Sequence, residues 1–373
     1  MKRIIVLILM SLVFVVPVCA EEYSTEEFLN KQAELSGADE LNSALPNEAR
    51  EFFAQKEISA EKSEWTKNLT FENTIKTIFE FVKDGIKAPF LTGGVILAII
   101  FISAALSSVE TGISANTASF AVTAAAAAVI ISPILHIVNS SVTVMQNVAN
   151  FMVAFVPVFA VIVVASGKAL TGTAMSALLL GAAQGVELVA NHFIIPLMCG
   201  YLSISVASGV SPLLSRSSLA QGIKKFSFWI MSFVTTVFIG VLSIQTAVNA
   251  SADSLATRTA KFVIGSTVPV AGTVLSEALT TVTASLGILK TSVAIYGVVA
   301  CCIIFLPILV NLILWRVVLN LTAILADIFS VNNVSLLLKS VDTAISVLCG
   351  IILLTCAMFI ISLTVVVSVG RTV

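Results

Sequence analysis

From about residue 89 onward, this chain repeatedly runs for twenty residues or more with almost no charge. The stretch ASFAVTAAAAAVIISPILHIV, residues 118–138, holds no Asp, Glu, Lys or Arg. A hydrocarbon core ~30 Å thick takes ~20 apolar residues as a helix. Inside it, a backbone must satisfy its own hydrogen bonds, which helices do. The repeated runs therefore specify an all-α, polytopic helical membrane protein. Composition agrees, with 58% hydrophobic and 11% charged residues, where a soluble domain is about 25% charged. Neither charge nor aromatic content suits nucleic acid, so membrane lipid is the expected surrounding.

Charge is unevenly placed. Residues 21–87 hold fifteen of the 21 acids and eight bases, whereas the chain from Ala88 onward has ten bases and six acids. The start, MKRIIVLILMSLVFVVPVCA, has Lys2 and Arg3, an apolar core and a small-residue end at Cys19-Ala20. It reads as a signal peptide over 1–20 that exports the chain segment beginning at Glu21. Residues 21–88 form a small acidic helical segment, too short for a sizeable core of its own. Pro46 with acids after it marks a helix start. Phe71, Ile75, Ile78, Phe79, Val82 and Ile86 recur at helical spacing and predict an interfacial amphipathic helix.

The membrane domain, 89–373, shows an internal repeat. Val156-Pro157-Val158 recurs as Val268-Pro269-Val270, and each is followed by another proline, Pro196 or Pro307. The order of span, loop, VPV tract and proline-bearing span predicts two copies of one unit, about 116–209 and 224–316. In the second copy, Gly265, Pro269 and Gly272 break the tract, leaving arms of ~12 residues, too short to cross singly. A re-entrant hairpin fits such a tract, and paired broken segments point to a central pathway. With the N-terminal segment exported, the positive-inside rule puts Arg216, Lys224, Lys225, Arg316 and Lys339 inside. The count is about six full spans plus two re-entrant hairpins, or eight spans if the first tract crosses fully.

Enzyme chemistry finds no support. The Gly167-Lys168 pair lacks the P-loop glycine, since Ile162 stands in its place. His136 and His192 have no carboxylate at ligand spacing, the cysteines sit in apolar runs without metal or disulfide spacing, and no cofactor or metal is expected. The informative ionisable residues are Glu187 and Glu277, one in each tract, because a charge at mid-bilayer costs ~2.5–3.5 kcal/mol and must face protein or water. They either pair structurally or line a conduit. Arg258 and Lys261 read as interfacial anchors, or as partners of Asp253 or Glu277. Gly112, Gly181, Gly185, Gly265 and Gly272 suit close helix packing.

The stretch GVLSIQTAVNASADSLATRTAKFVIGSTVPVAG, from Gly240, closely resembles the core of the stage III sporulation protein AE family, and LTVVVSVG near the C-terminus fits as well. The resemblance implies a non-enzymatic polytopic subunit of the channel, or secretion-like complex, that links mother cell and forespore. That channel maintains the forespore and its late gene expression. The implied partners are the other stage III sporulation A operon membrane proteins and, across the intermembrane space, the forespore protein stage II sporulation protein Q. The implied place is the mother-cell membrane around the forespore. A homo-oligomer is left open. The residues alone also leave open a secondary transporter moving a small solute through the two repeats.

Overall fold

The computed structural model describes residues 36–60, 85–107, 113–210, 216–267 and 272–368, together with Lys31, Ala33, Glu34 and Lys83. The expected signal peptide and the amphipathic face from Phe71 to Val82 lie outside these residues. The described elements are helical. A 3-10 turn, Ala38–Asn42, precedes α1 (Asn47–Gln55), with α2 at Lys87–Ser107, α3 at Ile113–Ala165 and α4 at Ala169–Val189. A π-helical segment, Ala190–Ile194, leads into α5 (Ile195–Val210), and α6 (Arg216–Thr267), α7 (Gly272–Ile328) and α8 (Asn332–Ser368) complete the order.

Six stretches are long and apolar enough to cross a membrane: Lys87–Ala105, Thr117–Ala165, Ala169–Ile204, Lys225–Val263, Val282–Ile328 and Asn332–Val365. This bears out the all-helical, polytopic reading. It differs in how the spans are cut. The expected second span and the first VPV tract are one helix, α3. The polar residues between them do not break it, because their hydroxyls bond back along the helix. Ser141 Oγ donates to the Ile137 carbonyl at 2.8 Å and Thr143 Oγ1 to the Asn139 carbonyl at 3.0 Å. Pro133 and Pro157 sit inside α3, where each removes one ladder bond without ending the helix. α6 ends at Thr267 and α7 begins at Gly272, and the second VPV triplet, with Pro269, lies outside the described residues. The arms are not short, since α6 and α7 run to 52 and 57 residues.

The first VPV triplet lies inside α3. Gly172-Thr173 with Ser176 in α4 recurs in sequence as Gly272-Thr273 with Ser276 in α7.

Packing gathers these rods round one core. Phe151, Phe155 and Phe159 stack at 5.5 Å spacings along α3 and are fully buried. α7 crosses them at Gly297, where a Cβ would lie 2.5 Å from the Phe155 ring. α8 packs along α7, and Arg316 Nε meets Asp342 Oδ1 at 3.1 Å between them. At the α7–α8 turn, Ser330 takes a left-handed conformation (φ 60°) and Lys339 bonds Asp327 at 2.6 Å.

The described part of the N-terminal segment shares the core of the long helices. Leu41, Leu45, Ala49, Phe53 and Ile58 are buried in the same cluster as the long helices. Pro46 is the residue before α1, as expected, and Glu48 stands in its first turn. The Tyr296 hydroxyl of α7 bonds Asn42 Oδ1 at 2.6 Å, and the Phe53 ring meets Tyr296 edge-on at 5.1 Å. The described part of this segment thus docks on the long helices of its own chain.

Candidate functional site

Charge is scarce in this bundle, so the place where charged side chains are drawn inside is the candidate site. It is the turn between α3 and α4. Gly167, at φ +84°, ends α3 in a left-handed cap that glycine adopts without steric cost. Lys168 N donates to the Val163 carbonyl at 3.3 Å and Gly167 N to the Val164 carbonyl at 3.0 Å, the paired bonds of a Schellman motif. The α3 terminus is satisfied within its own chain segment.

The N-terminus of α4 is satisfied from across the molecule. Asp253 of α6, 3% exposed, accepts from Leu170 N through Oδ1 and from Thr171 N through Oδ2, both at 2.9 Å. A carboxylate at a helix N-terminus gains from the free N–H groups and from the helix dipole together. The Thr257 hydroxyl, one turn on, reaches the Asp253 carbonyl at 2.9 Å and the Gly167 carbonyl at 3.3 Å. A Cβ on Gly167 would meet Thr257 of α6 and Thr283 of α7 at 3.7 and 3.8 Å. The turn is therefore held between the two helices of the second half. Burial pushes the Lys168 ammonium below its ordinary value of 10.5, and the attraction of Asp253 offsets part of that.

Lys290 of α7 completes the cluster. It is 3% exposed, and its Nζ has no hydrogen-bond partner. The Thr171 hydroxyl in the first turn of α4 is likewise buried and without a partner. Among the described residues, no group of three or more His, Cys, Asp and Glu side chains suited to a metal ion occurs.

The residues singled out from sequence lie elsewhere. Glu187 is exposed on α4, Arg258 is exposed and Lys261 half-exposed on α6. Pro157 and Pro196 are exposed and Pro307 is half-buried. Gly265, Gly272 and Glu277 lie in α6 and α7, but their side-chain surroundings fall outside the described residues, as does Pro269. Asp253 serves the α4 N-terminus, so its principal partner is neither Arg258 nor Lys261. Pro196 does shape the backbone: the π segment just before it absorbs the carbonyl that proline leaves without a partner. Gln146 Nε2 of α3 bonds Asn191 Oδ1 in that segment at 2.8 Å. Sequence reading missed Asp253 and Lys290 as a site. For Lys290 the available signal was its isolation, the one charge between Glu277 and Arg316; Asp253, close to Arg258 and Lys261, offered none as clear.

With six helices among the described residues long and apolar enough to cross a membrane, the fold is that of a polytopic integral membrane protein. The profile of the family described as Stage III sporulation protein AE matches residues 54–370, and the chain belongs to that family. It is 24% identical to the Stage III sporulation protein AE of Bacillus subtilis (strain 168) over 235 residues, covering 63% of this chain and 59% of the relative. The match thus spans somewhat under two thirds of that relative's length. No solved structure matches the chain.

Proposed function

We propose that the chain is a non-enzymatic membrane subunit of a sporulation channel or secretion-like complex between mother cell and forespore. In this reading it sits in the mother-cell membrane with its N-terminal segment exported. It works with other stage III sporulation A operon membrane proteins and with stage II sporulation protein Q across the intermembrane space. Family membership supports the sporulation role.

One observation supports the assembled state. α3 holds no Asp, Glu, Lys or Arg over 53 residues, and between Phe120 and Val164 its large exposed apolar side chains form two groups, Phe120 to Leu135 and Val153 to Val164, with exposed His136, Asn139, Thr143 and Asn150 between them. At 1.5 Å per residue that is ~66 Å of helix. A hydrocarbon core is ~30 Å thick, and a 40° tilt lets it cover only ~39 Å. The two apolar groups therefore do not both fit in the hydrocarbon core, and a neighbouring subunit supplies the cover for the one left outside. α4 presents a suitable face. Gly181 and Gly185 stand four apart, both face outward, and a Cβ on either would meet nothing within 4 Å in its own chain. They border an apolar groove of about 390 Å³ between α4 and α6, with Met231, Val234 and Phe238 on its other wall. Small residues at this spacing let helices of separate chains approach closely.

The test is the pair Gly181→Leu and Gly185→Leu, made in sporulating cells. The reading expects normal amounts of the chain in the membrane but loss of the large complex and of spore formation. Retention of both would sink the assembly reading. A solute transporter built on the two halves keeps one point in its favour, the exposed Glu187 on an apolar helix. That reading expects the chain alone in vesicles to move solute and Glu187→Gln to stop it. The membrane-dipping form of the α6–α7 break belongs with either proposal.

A further inference from the structure

We infer that the outer side of α6 pairs with α6 of a second copy of this chain. Between Val234 and Leu255, the large apolar side chains that stand exposed on α6 are Val234, Val237, Val241, Ile244, Val248 and Leu255, from 45% for Val234 to 68% for Ile244. Val234, Val241, Val248 and Leu255 follow one another at seven-residue intervals, and Val237 and Ile244 each lie three residues further on. All six thus occupy the a and d positions of a heptad repeat. The other exposed residues of the stretch are Thr236, Gly240, Ser243, Ala247, Ser251 and Ala252, all of them small. Lipid tails accept apolar bulk at any angle around a helix and select no seam. A facing helix does select one, because it takes knobs in a row with small residues beside them.

The occupant that fits is α6 itself. A heptad seam meets another of the same repeat, a facing a and d facing d, when the two helices run parallel. Copies of one chain in one membrane share an orientation, so a two-fold axis along the membrane normal sets their α6 helices parallel and in register. Exposed apolar side chains begin at Phe226, with Trp229 and Phe233 stacked at 5.7 Å beside the seam. From Phe226 to Leu255 a strip ~44 Å long and one helix wide, ~12 Å, covers ~520 Å² on each copy. The pair then reaches the ~1,000 Å² of a specific interface. Ser251 and Arg258 hold the next two d positions. Two guanidinium groups would face each other at Arg258, so the helices part beyond Leu255.

The measurement is thiol crosslinking with a short-armed reagent in membranes. The full chain carries Ser in place of its native cysteines and one new cysteine at a time on α6. It is made in cells that hold no other sporulation protein. The expected result is crosslinked dimer from Val234→Cys, Val237→Cys, Val241→Cys and Ile244→Cys. Ser232→Cys, Thr236→Cys and Ser243→Cys, exposed beside the seam, should give none. Adding Ile244→Asp to Val237→Cys should abolish its dimer while leaving the amount of chain in the membrane unchanged. Equal yields at seam and flank positions overturn the inference, and so does the absence of dimer at all four seam positions. The chain is alone in this experiment, so missing crosslinks leave the mother cell–forespore subunit reading standing. Failure of that reading would in turn leave the seam crosslinks in place.

Discussion

Asp253 is where a single atom change reaches furthest. Its two oxygens hold the start of α4 from a helix 83 residues away in sequence. Asp253→Asn keeps the shape but loses the charge and one acceptor, leaving a buried N–H of Leu170 or Thr171 unsatisfied. The expected cost is about 1–3 kcal/mol, read as a lower Tm in detergent, with Asp253→Ala at the upper end. Lys168 carries a pH signature. Its folded-state value is depressed by burial, so the unfolded chain keeps that proton to higher pH. Stability should then rise with pH from the depressed value up to the ordinary one, near 10.5. Below that window the penalty is present in full. Denaturation midpoints measured across the alkaline range should show this rise in the wild-type chain. Lys168→Met should flatten it.

At the scale of elements, glycines divide into two kinds. Gly297 lets α7 lie against Phe155, whose ring is fixed between Phe151 and Phe159. Gly297→Ala should destabilise the isolated chain by about 1–3 kcal/mol, since the stacked ring has no room to yield. Gly181→Ala meets open space within its own chain and removes a helix-interior glycine. It should raise the stability of the isolated chain by about 0.5–1 kcal/mol. Thermal unfolding of the two variants side by side checks the opposite signs. The sequence does not show which face a glycine occupies, so Gly181 was assigned to packing and Gly297 was not singled out. It locates the helices well, because long uncharged runs leave little else to form. It misplaces their ends, because Ser140, Ser141 and Thr143 look like a loop until their hydroxyls are seen to serve the helix. Asp253 stands out in the sequence only as a partner for Arg258 or Lys261, because its reach across to the α4 N-terminus is visible only in the fold.

Taken as a whole, the molecule is taller than the membrane that must hold it. α3, α6 and α7 each exceed 50 residues, ~75–85 Å of helix, against a core of ~30 Å. Lys224, Lys225, Arg316 and Lys339 mark the end expected to face the mother-cell cytoplasm. Lys168, Asp253 and Lys290 gather at the opposite end, on the same side as the docked N-terminal segment. That arrangement suits a subunit that rises from one membrane toward another and is clothed above the bilayer by its neighbours. The measurement that tests this most directly is crosslinking in sporulating cells, then gentle purification of the tagged chain and mass analysis of the proteins that accompany it. Recovery in a large complex, with crosslinks from the outer faces of α3 and α4 to other sporulation membrane proteins or to further copies, is the predicted result. Recovery as a lone monomer, with those faces crosslinked to lipid alone, would contradict it.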